Sequence, residues 1–418
     1  MKIAVLGKGT AGTIAGVHLS KNIPESHVDL IYDPDIPTIG VGEGAGPRFH
    51  SWLKSLNIDE LLIYEDLFAT RKYGILFENW GKTKKSLVHH FNPKQKAYSY
   101  HFDASKIFPF LNQFVRLNII ESNISHINRP RDSTSQSEIT LSNNSKLYYD
   151  YIIDARGFKA DNHSNIKLDK KTLLLSDSAE LIQIDLPSNI SHQIEVLQGE
   201  HKHTYDTLTR AIAMKNGWIF VIPLQNRISI GYIYCSKYSN KEEIYSELVK
   251  YKRSLLPEYP ISRNRSIRFS SYSSSCYSNG NIFYIGNRAA FAEPLEATSI
   301  EFILHEVFEL TDLILNLGKY KDLNSMDSSK KFNSIMDISM QKIALFISWH
   351  YSNGSIYQSK FWDASKEHHQ KLMYELDEQV IYEFKENIKS LNSSVNKTLP
   401  AFFGWKHNSF SEIESIIS

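Results

Sequence analysis

Gly7, Gly9 and Gly12 stand in a G-x-G-x-x-G spacing directly after the apolar run KIAVL. The first glycine permits a tight turn, the second lets a pyrophosphate approach, and the third lets a helix pack on a strand. A helix opening there, through Thr10 and Ala11, offers free N–H groups and a favourable dipole to phosphates. About twenty positions on, an acidic residue should hold a ribose. Asp33 is the candidate, with Tyr32 competing for the position. A second loop, IGVGEGAGP at 39–47, crowds Gly40, Val41, Gly42 and Glu43 together and reads as a rigid, cofactor-facing segment. A third stretch, FYIGNRAAFAEPLEATSI, carries Gly286 and Asn287 at a strand end, then Pro294, Leu295 and an acidic Glu296 among small residues. Taken alone, Glu296 is a helix N-terminal glutamate favoured by the dipole.

The elements that must position these residues follow from periodicity. KIAVLG, a turn, TIAGVHLSKN and HVDLIYD make a βαβ opening. Residues 70–110 alternate apolar and polar side chains and predict strands at a sheet edge, KIFPFLNQFVRL has helical spacing, and YYDYIIDARGF reads as one buried strand. Strands dominate from about 172 to 235, and the pattern is helical from about 300 onward. The glycine-bearing segments are spread over some 300 residues with a strand-rich insertion between them. An NAD-only dehydrogenase concentrates its contacts in one Rossmann half, so the dispersed set points to FAD.

With 418 residues, two packed modules are expected. The near-balance of 47 basic and 46 acidic residues argues against a nucleic-acid or membrane footprint. Cys235 and Cys276 are the only cysteines, in no metal or redox spacing. The N-terminus is too short for a signal peptide and no apolar run approaches a membrane span, so a cytoplasmic location is expected. His89, His90 and His101, and the HKH at 201–203, read as strand-edge and solvated histidines rather than metal ligands. No metal is expected.

Nine segments in order resemble the flavin-dependent tryptophan halogenases, within the single-component flavin monooxygenase-type FAD fold: GKGTAG, IPTIGVGEG, RKYGILFENWG, YSYHFDASKI, YIIDARGFK, GWIFVIPL, GYIYCS, GNRAAFAEPLEATSI and SWHYSNGSIYQSKFW. They run from residue 7 to about 362. The resemblance implies a mixed α/β fold, with a Rossmann-like module and interleaved substrate-side sheet over 1–310 (strands about 71–100 and 172–270) and a helical C-terminal region over 311–418. It implies reduced FAD (FADH2) from a separate NAD(P)H-dependent flavin reductase, and a halide ion (chloride, bromide or iodide). Hypohalous acid made at the flavin would travel to Lys72, with Glu296 facing the lysine as the base for the arenium proton. Thr298 and Ser299 would hold halide. Trp218, Phe220, Ile222, Pro223, His350, Tyr351, Phe361 and Trp362 would line the tunnel and substrate site. Lys72 by itself would read as a surface strand lysine beside Arg71, lying over aromatic rings. The substrate class implied is a small electron-rich aromatic, free or carrier-tethered, with indole favoured; a homodimer is compatible.

Some positions depart from the family pattern. Phe220 replaces a tryptophan but keeps an aromatic wall, and Asn287 replaces an aspartate. Ala297-Thr298-Ser299 replaces Ser-Thr-Gly, and losing the glycine puts halide use in question. The chain is also shorter than most relatives beyond Trp362, which makes the substrate pocket the least transferable part. A flavin monooxygenase or oxidase without halide use, or a non-catalytic flavin-binding protein, are the alternatives.

Overall fold

The computed structural model describes residues 1–37, 43–83, 86–91, 97–129, 136–158, 160, 165–187, 206–391 and 401–418. Its nucleotide-type layer is a six-stranded sheet in the order Ser278–Asn279, Ile282–Tyr284, Tyr151–Asp154, Lys2–Leu6, His27–Tyr32 and Asn118–Glu121. All but the first run parallel. Central parallel strands are covered on both faces, which is why KIAVL and YIID are apolar without alternation. The YYDYIID stretch is two strands rather than one. Lys146–Tyr149 pairs antiparallel with Ser137–Leu141, and the chain changes sheet at Asp150. The Asp150 carboxylate accepts the Lys2 N–H (2.7 Å) and the Gln136 amide (2.9 Å), which pins the break.

The second large sheet runs in the order Arg263–Arg268, Ser178–Asp185, Arg227–Tyr234, Gly217–Pro223, Asp206–Met214, Thr70–Glu78, Ser99–Phe102 and Glu43–Gly44. Ser86–His90 pairs beside Thr70–Glu78. The expectation of an edge position for residues 70–78 is therefore corrected. This nine-residue strand pairs parallel with Asp206–Met214 on one side. On the other, its first half meets Ser99–Phe102 and its second half Ser86–His90. Alternation alone cannot distinguish an edge strand from an interior strand with one polar face. In the adjacent GWIFVIP strand, Phe220 lies opposite Gly231. A Cβ at 231 would sit 2.2 Å from the Phe220 ring, so the glycine makes room for that phenylalanine.

The helices Thr298–Ile314, Ser325–His350, Lys360–Glu375, Glu378–Leu391 and His407–Ile417 complete the chain. Their apolar faces join the same buried cluster as the nucleotide-type sheet, from Ile3 to Ile417. A smaller cluster lies between the outer face of the large sheet and the helix Lys241–Leu255. Among the described residues no helix is long and apolar enough to cross a membrane.

Candidate active site

The glycine fingerprint makes a cradle. Gly7 adopts φ +99°, and a Cβ on Gly12 would lie 1.8 Å from the Gly7 carbonyl oxygen, so neither position accepts a side chain. The helix Thr10–Asn22 starts at Gly9 without a side-chain cap, and nothing lies within 4 Å of a Cβ at Gly9. Asp33 is half-buried just past the second strand. The Tyr32 hydroxyl is instead committed to Glu121 at 2.6 Å. Gly286 takes φ +55° and packs against Ala11; a Cβ there would meet the Ala11 methyl at 2.6 Å. Gly286, Asn287, Thr298 and Ser299 line one cavity of about 10 Å³ together with Phe302 and Met340. The GNR turn thus packs on the first helix through Gly286 and Ala11 and shares a cavity with the EATS loop. The close approach of Gly7 and Gly12 and the clear space at Gly9 fit a dinucleotide pyrophosphate at this helix start. Pro294 is exposed and Leu295 buried in the same loop. Gly40, Val41 and Gly42 lie outside the described residues, as do residues 201–203; Glu43 contributes backbone to a short strand pairing with Ser99–Phe102.

Beneath this surface, Asp154 at the end of the Tyr151–Asp154 strand is fully buried between two guanidiniums. Arg156 binds it through two contacts of 2.8 Å and Arg288 through one of 3.1 Å. Burial opposes its charge, but the arginines hold its carboxyl down at about 2. This ion cluster anchors the GNR turn to the nucleotide-type sheet.

Lys72 is fully buried, and its Nζ has no hydrogen-bond partner among the described residues. It stands on the inner face of its strand, while neighbouring Arg71 points the other way to Glu60 at 3.1 Å. Strand alternation produces that split. Around the amine are the Phe91 ring, 5.2 Å from Nζ, and the bare face of Gly44, where a Cβ would lie 3.2 Å from both Nζ and the His101 ring. Burial lowers the amine to about 8, against the opposing charges of Glu296 and Glu301. Roughly a tenth of the amine is therefore neutral, and nucleophilic, at pH 7, far more than for an ordinary lysine.

Glu296 is buried and clamped. Its carboxylate lies 2.9 Å from His350 Nε2 and 2.9 and 3.0 Å from His89 Nδ1. Its backbone takes φ +67°, and Ala297 follows at +53°. Two consecutive non-glycine residues in the left-handed region cost about 1–3 kcal/mol each. Ser299, by contrast, lies inside the regular helix Thr298–Ile314, so serine for glycine there carries no backbone penalty. That helix begins without a side-chain cap, and Thr298 Oγ1 is buried without a hydrogen-bond partner among the described residues.

The aromatic residues expected at the substrate side come together around Trp80. Its ring lies 5.3 Å from those of Tyr351 and Trp362 and 6.3 Å from that of Trp218. Phe220 neighbours Trp218, and Phe361 packs on Trp362. The Ser359 hydroxyl caps the helix Lys360–Glu375, and the Trp362 indole donates to the Met214 carbonyl at 2.8 Å. Ile222 and Pro223 end their strand against the start of the Lys72 strand, where Thr70 donates to the Pro223 carbonyl. Tyr351 donates to the buried Glu293, which burial pushes up to about 7.

The histidine reading is corrected. His89 and His101 are buried, 4% and 0% exposed: the His101 strand has a neighbour on each side, and the His89 strand, paired with Thr70–Glu78, is covered by the helix His407–Ile417. His89 binds Glu296, and His101 binds Thr207 at 3.0 Å and Thr209 at 2.7 Å. Glu301, which accepts the Arg48 N–H, is a second carboxylate acting on Lys72. Only the pairing of distant strands reveals these partners. Among the described residues no cluster of metal-ligating type occurs.

A family model described as tryptophan halogenase matches residues 2–97 and 93–397. The tryptophan 7-halogenase RebH of Lentzea aerocolonigenes is 25% identical over 439 residues, spanning 88% of this chain and 79% of that protein. The crystal structure of the tryptophan 6-halogenase SttH from Streptomyces toxytricini superposes with a TM-score of 0.80 at 19% identity, covering 99% of this chain and 89% of that one. The solved structure of Xcc4156, a flavin-dependent halogenase from Xanthomonas campestris, gives 0.78 at 21% identity, covering 99% of this chain and 88% of that one. With the family model matched over almost the whole described fold, this chain belongs to the tryptophan halogenase family of flavin-dependent enzymes.

Proposed function

We propose that this enzyme halogenates an electron-rich aromatic of the indole class, with Lys72 and Glu296 as its catalytic residues. The observation that carries the reading is the fully buried, unpartnered Lys72 amine in the field of a clamped carboxylate. An unpaired cation is costly to bury, so a fold that retains one has a use for it. Gly7, Gly9, Gly12, Asp33, Gly286 and Asn287 would hold FAD, delivered reduced by a separate NAD(P)H-dependent reductase. Bound reduced FAD supplies the oxygen activation that turns halide into hypohalous acid.

Halide is assigned to the open end of the helix Thr298–Ile314. There the Thr298 and Ser299 N–H groups and the unpartnered Thr298 hydroxyl offer donors and a positive dipole end. Lys72 then receives hypohalous acid inside the protein. As an ammonium it donates a proton to the hydroxyl that leaves as water, while the oxygen–halogen bond breaks and a carbon–halogen bond forms. The ring C–H bond breaks, its electron pair returns to the ring, and Glu296 accepts the proton. Proton exchange between Glu296 and the neutral lysine resets both.

A product screen by intact mass tests this. The enzyme is supplied with oxygen, FAD, NADH, a flavin reductase and one halide at a time, with a pooled panel of indoles, phenols and pyrroles. A halogen isotope pattern that vanishes in Lys72→Ala is expected. Products gaining only oxygen would replace the proposal with monooxygenation.

A further inference from the structure

His350 faces Glu296 in a way that leaves little choice for its protons. Its Nδ1 lies 2.9 Å from the Phe346 carbonyl oxygen, four residues back on the same helix. A carbonyl only accepts, so Nδ1 carries a hydrogen. The opposite nitrogen, Nε2, lies 2.9 Å from Glu296 Oε1. If Nε2 were bare, two lone pairs would face each other in a dry site. One proton must sit between them. The ring cannot turn over without losing both bonds, and Phe346 is itself held by a stacked Trp405 at 3.8 Å.

His89, on the strand Ser86–His90, offers Nδ1 to both Glu296 oxygens; burial works against its charge, but the carboxylate raises its proton affinity above the ordinary value. The charged and titratable groups around the carboxylate are His89, His350 and Lys72, with Glu412 from the C-terminal helix acting on His89.

We propose that His350 is a positioning residue for Glu296: with Nδ1–H spent on the Phe346 carbonyl, it keeps a second proton on Nε2 and holds Glu296 ionised through a charge-assisted hydrogen bond. The inference rests on the halogenation reading for its consequence, not for its geometry. Glu296 is then the anion of a buried ion pair, available to the ring proton well below neutral pH. Burial opposes that charge, yet the two histidines hold its carboxyl far below the usual carboxylate range. The same pair fixes the direction of the carboxylate, whose backbone is strained and needs the restraint. Two neutral donors in the same places would orient Glu296 without keeping it ionised, and this difference is open to measurement.

The first readout is nitrogen NMR of the histidine-labelled enzyme at neutral pH. A ring with both nitrogens protonated is expected that disappears in His350→Gln and becomes singly protonated in Glu296→Gln. The second is the pH profile of halogenation. His350→Gln keeps a donor but no charge, so its acid limb should move up by about one pH unit or more. That is a roughly tenfold loss of kcat/KM at low pH, recovered at high pH. His89→Gln, which removes the other histidine from the carboxylate, should also move the limb up.

A singly protonated His350 in the wild type would overturn the proposal. So would an equal loss at every pH in His350→Gln, which marks a purely structural role. If the wild type halogenates nothing in the panel, the proposed function fails instead, and the nitrogen spectra still decide the protonation of His350.

Discussion

Replacing Lys72 by methionine should stabilise the fold while ending halogenation. Methionine is nearly isosteric with the lysine stem and satisfies the same apolar neighbours, but carries no charge. The amine moves from its ordinary 10.5 to about 8 on folding, with burial the largest cause. That displacement costs the native state about 3 kcal/mol. The sign follows from proton counts. Between about pH 8 and 10.5 the unfolded chain binds the proton that the native state has released, so wild-type stability rises with pH across that window. Below it the whole cost is present.

Lys72→Met should therefore gain about 3 kcal/mol near pH 7, and this advantage should fade toward zero as the pH approaches about 10.5. In a chain of 418 residues the gain corresponds to about 3 °C in Tm, because the entropy of unfolding is large. The assay is urea denaturation of both proteins at several pH values, with product mass spectrometry alongside. Lower stability of the methionine variant, or an advantage that does not change with pH, would refute the reasoning. The first outcome would mean that the carboxylates stabilise the ammonium by more than burial costs it.

Two further outcomes follow from the cofactor side. Gly12→Ala places a methyl 1.8 Å from the Gly7 oxygen, so the helix start must shift; FAD affinity, read by fluorescence titration, should fall at least tenfold, and unchanged affinity would remove the cradle from that loop. Arg288→Ala leaves Asp154 with a single guanidinium and should cost about 3–5 kcal/mol by chemical denaturation. Asp154 is lowered from 3.8 to about 2, so its contribution is present above about pH 4 and lost as pH falls through 2, a dependence the variant should flatten.

Much of the architecture was legible because each signal is local. The glycine spacing, the apolar runs of parallel strands and the helical periodicity after residue 300 each depend on neighbours a few positions away. The candidate residues Lys72 and Glu296 were legible only through the order of family segments, since each alone reads as an ordinary surface or helix-end residue. Their surroundings were not legible at all. His89, 207 positions from Glu296, and His350, 54 positions from it, meet the carboxylate only when the sheet and the long helix pack together.

The placement of the Lys72 strand shows the same limit. A polar–apolar alternation states that one face is buried, but not whether the strand has one neighbour or two. Here partners on both sides seal the lysine from water and displace its proton affinity. The serine at 299 is the converse case. Its difference from glycine seemed to endanger the halide loop, yet folding places the left-handed turn at Glu296 and Ala297 instead. The sequence by itself determined most of the elements and the glycine turn between the first strand and helix, because propensity and turn chemistry are short-ranged. Tertiary structure alone decided which charges are buried, what they touch and which protons they keep, because desolvation and hydrogen bonding depend on segments brought together from across the chain.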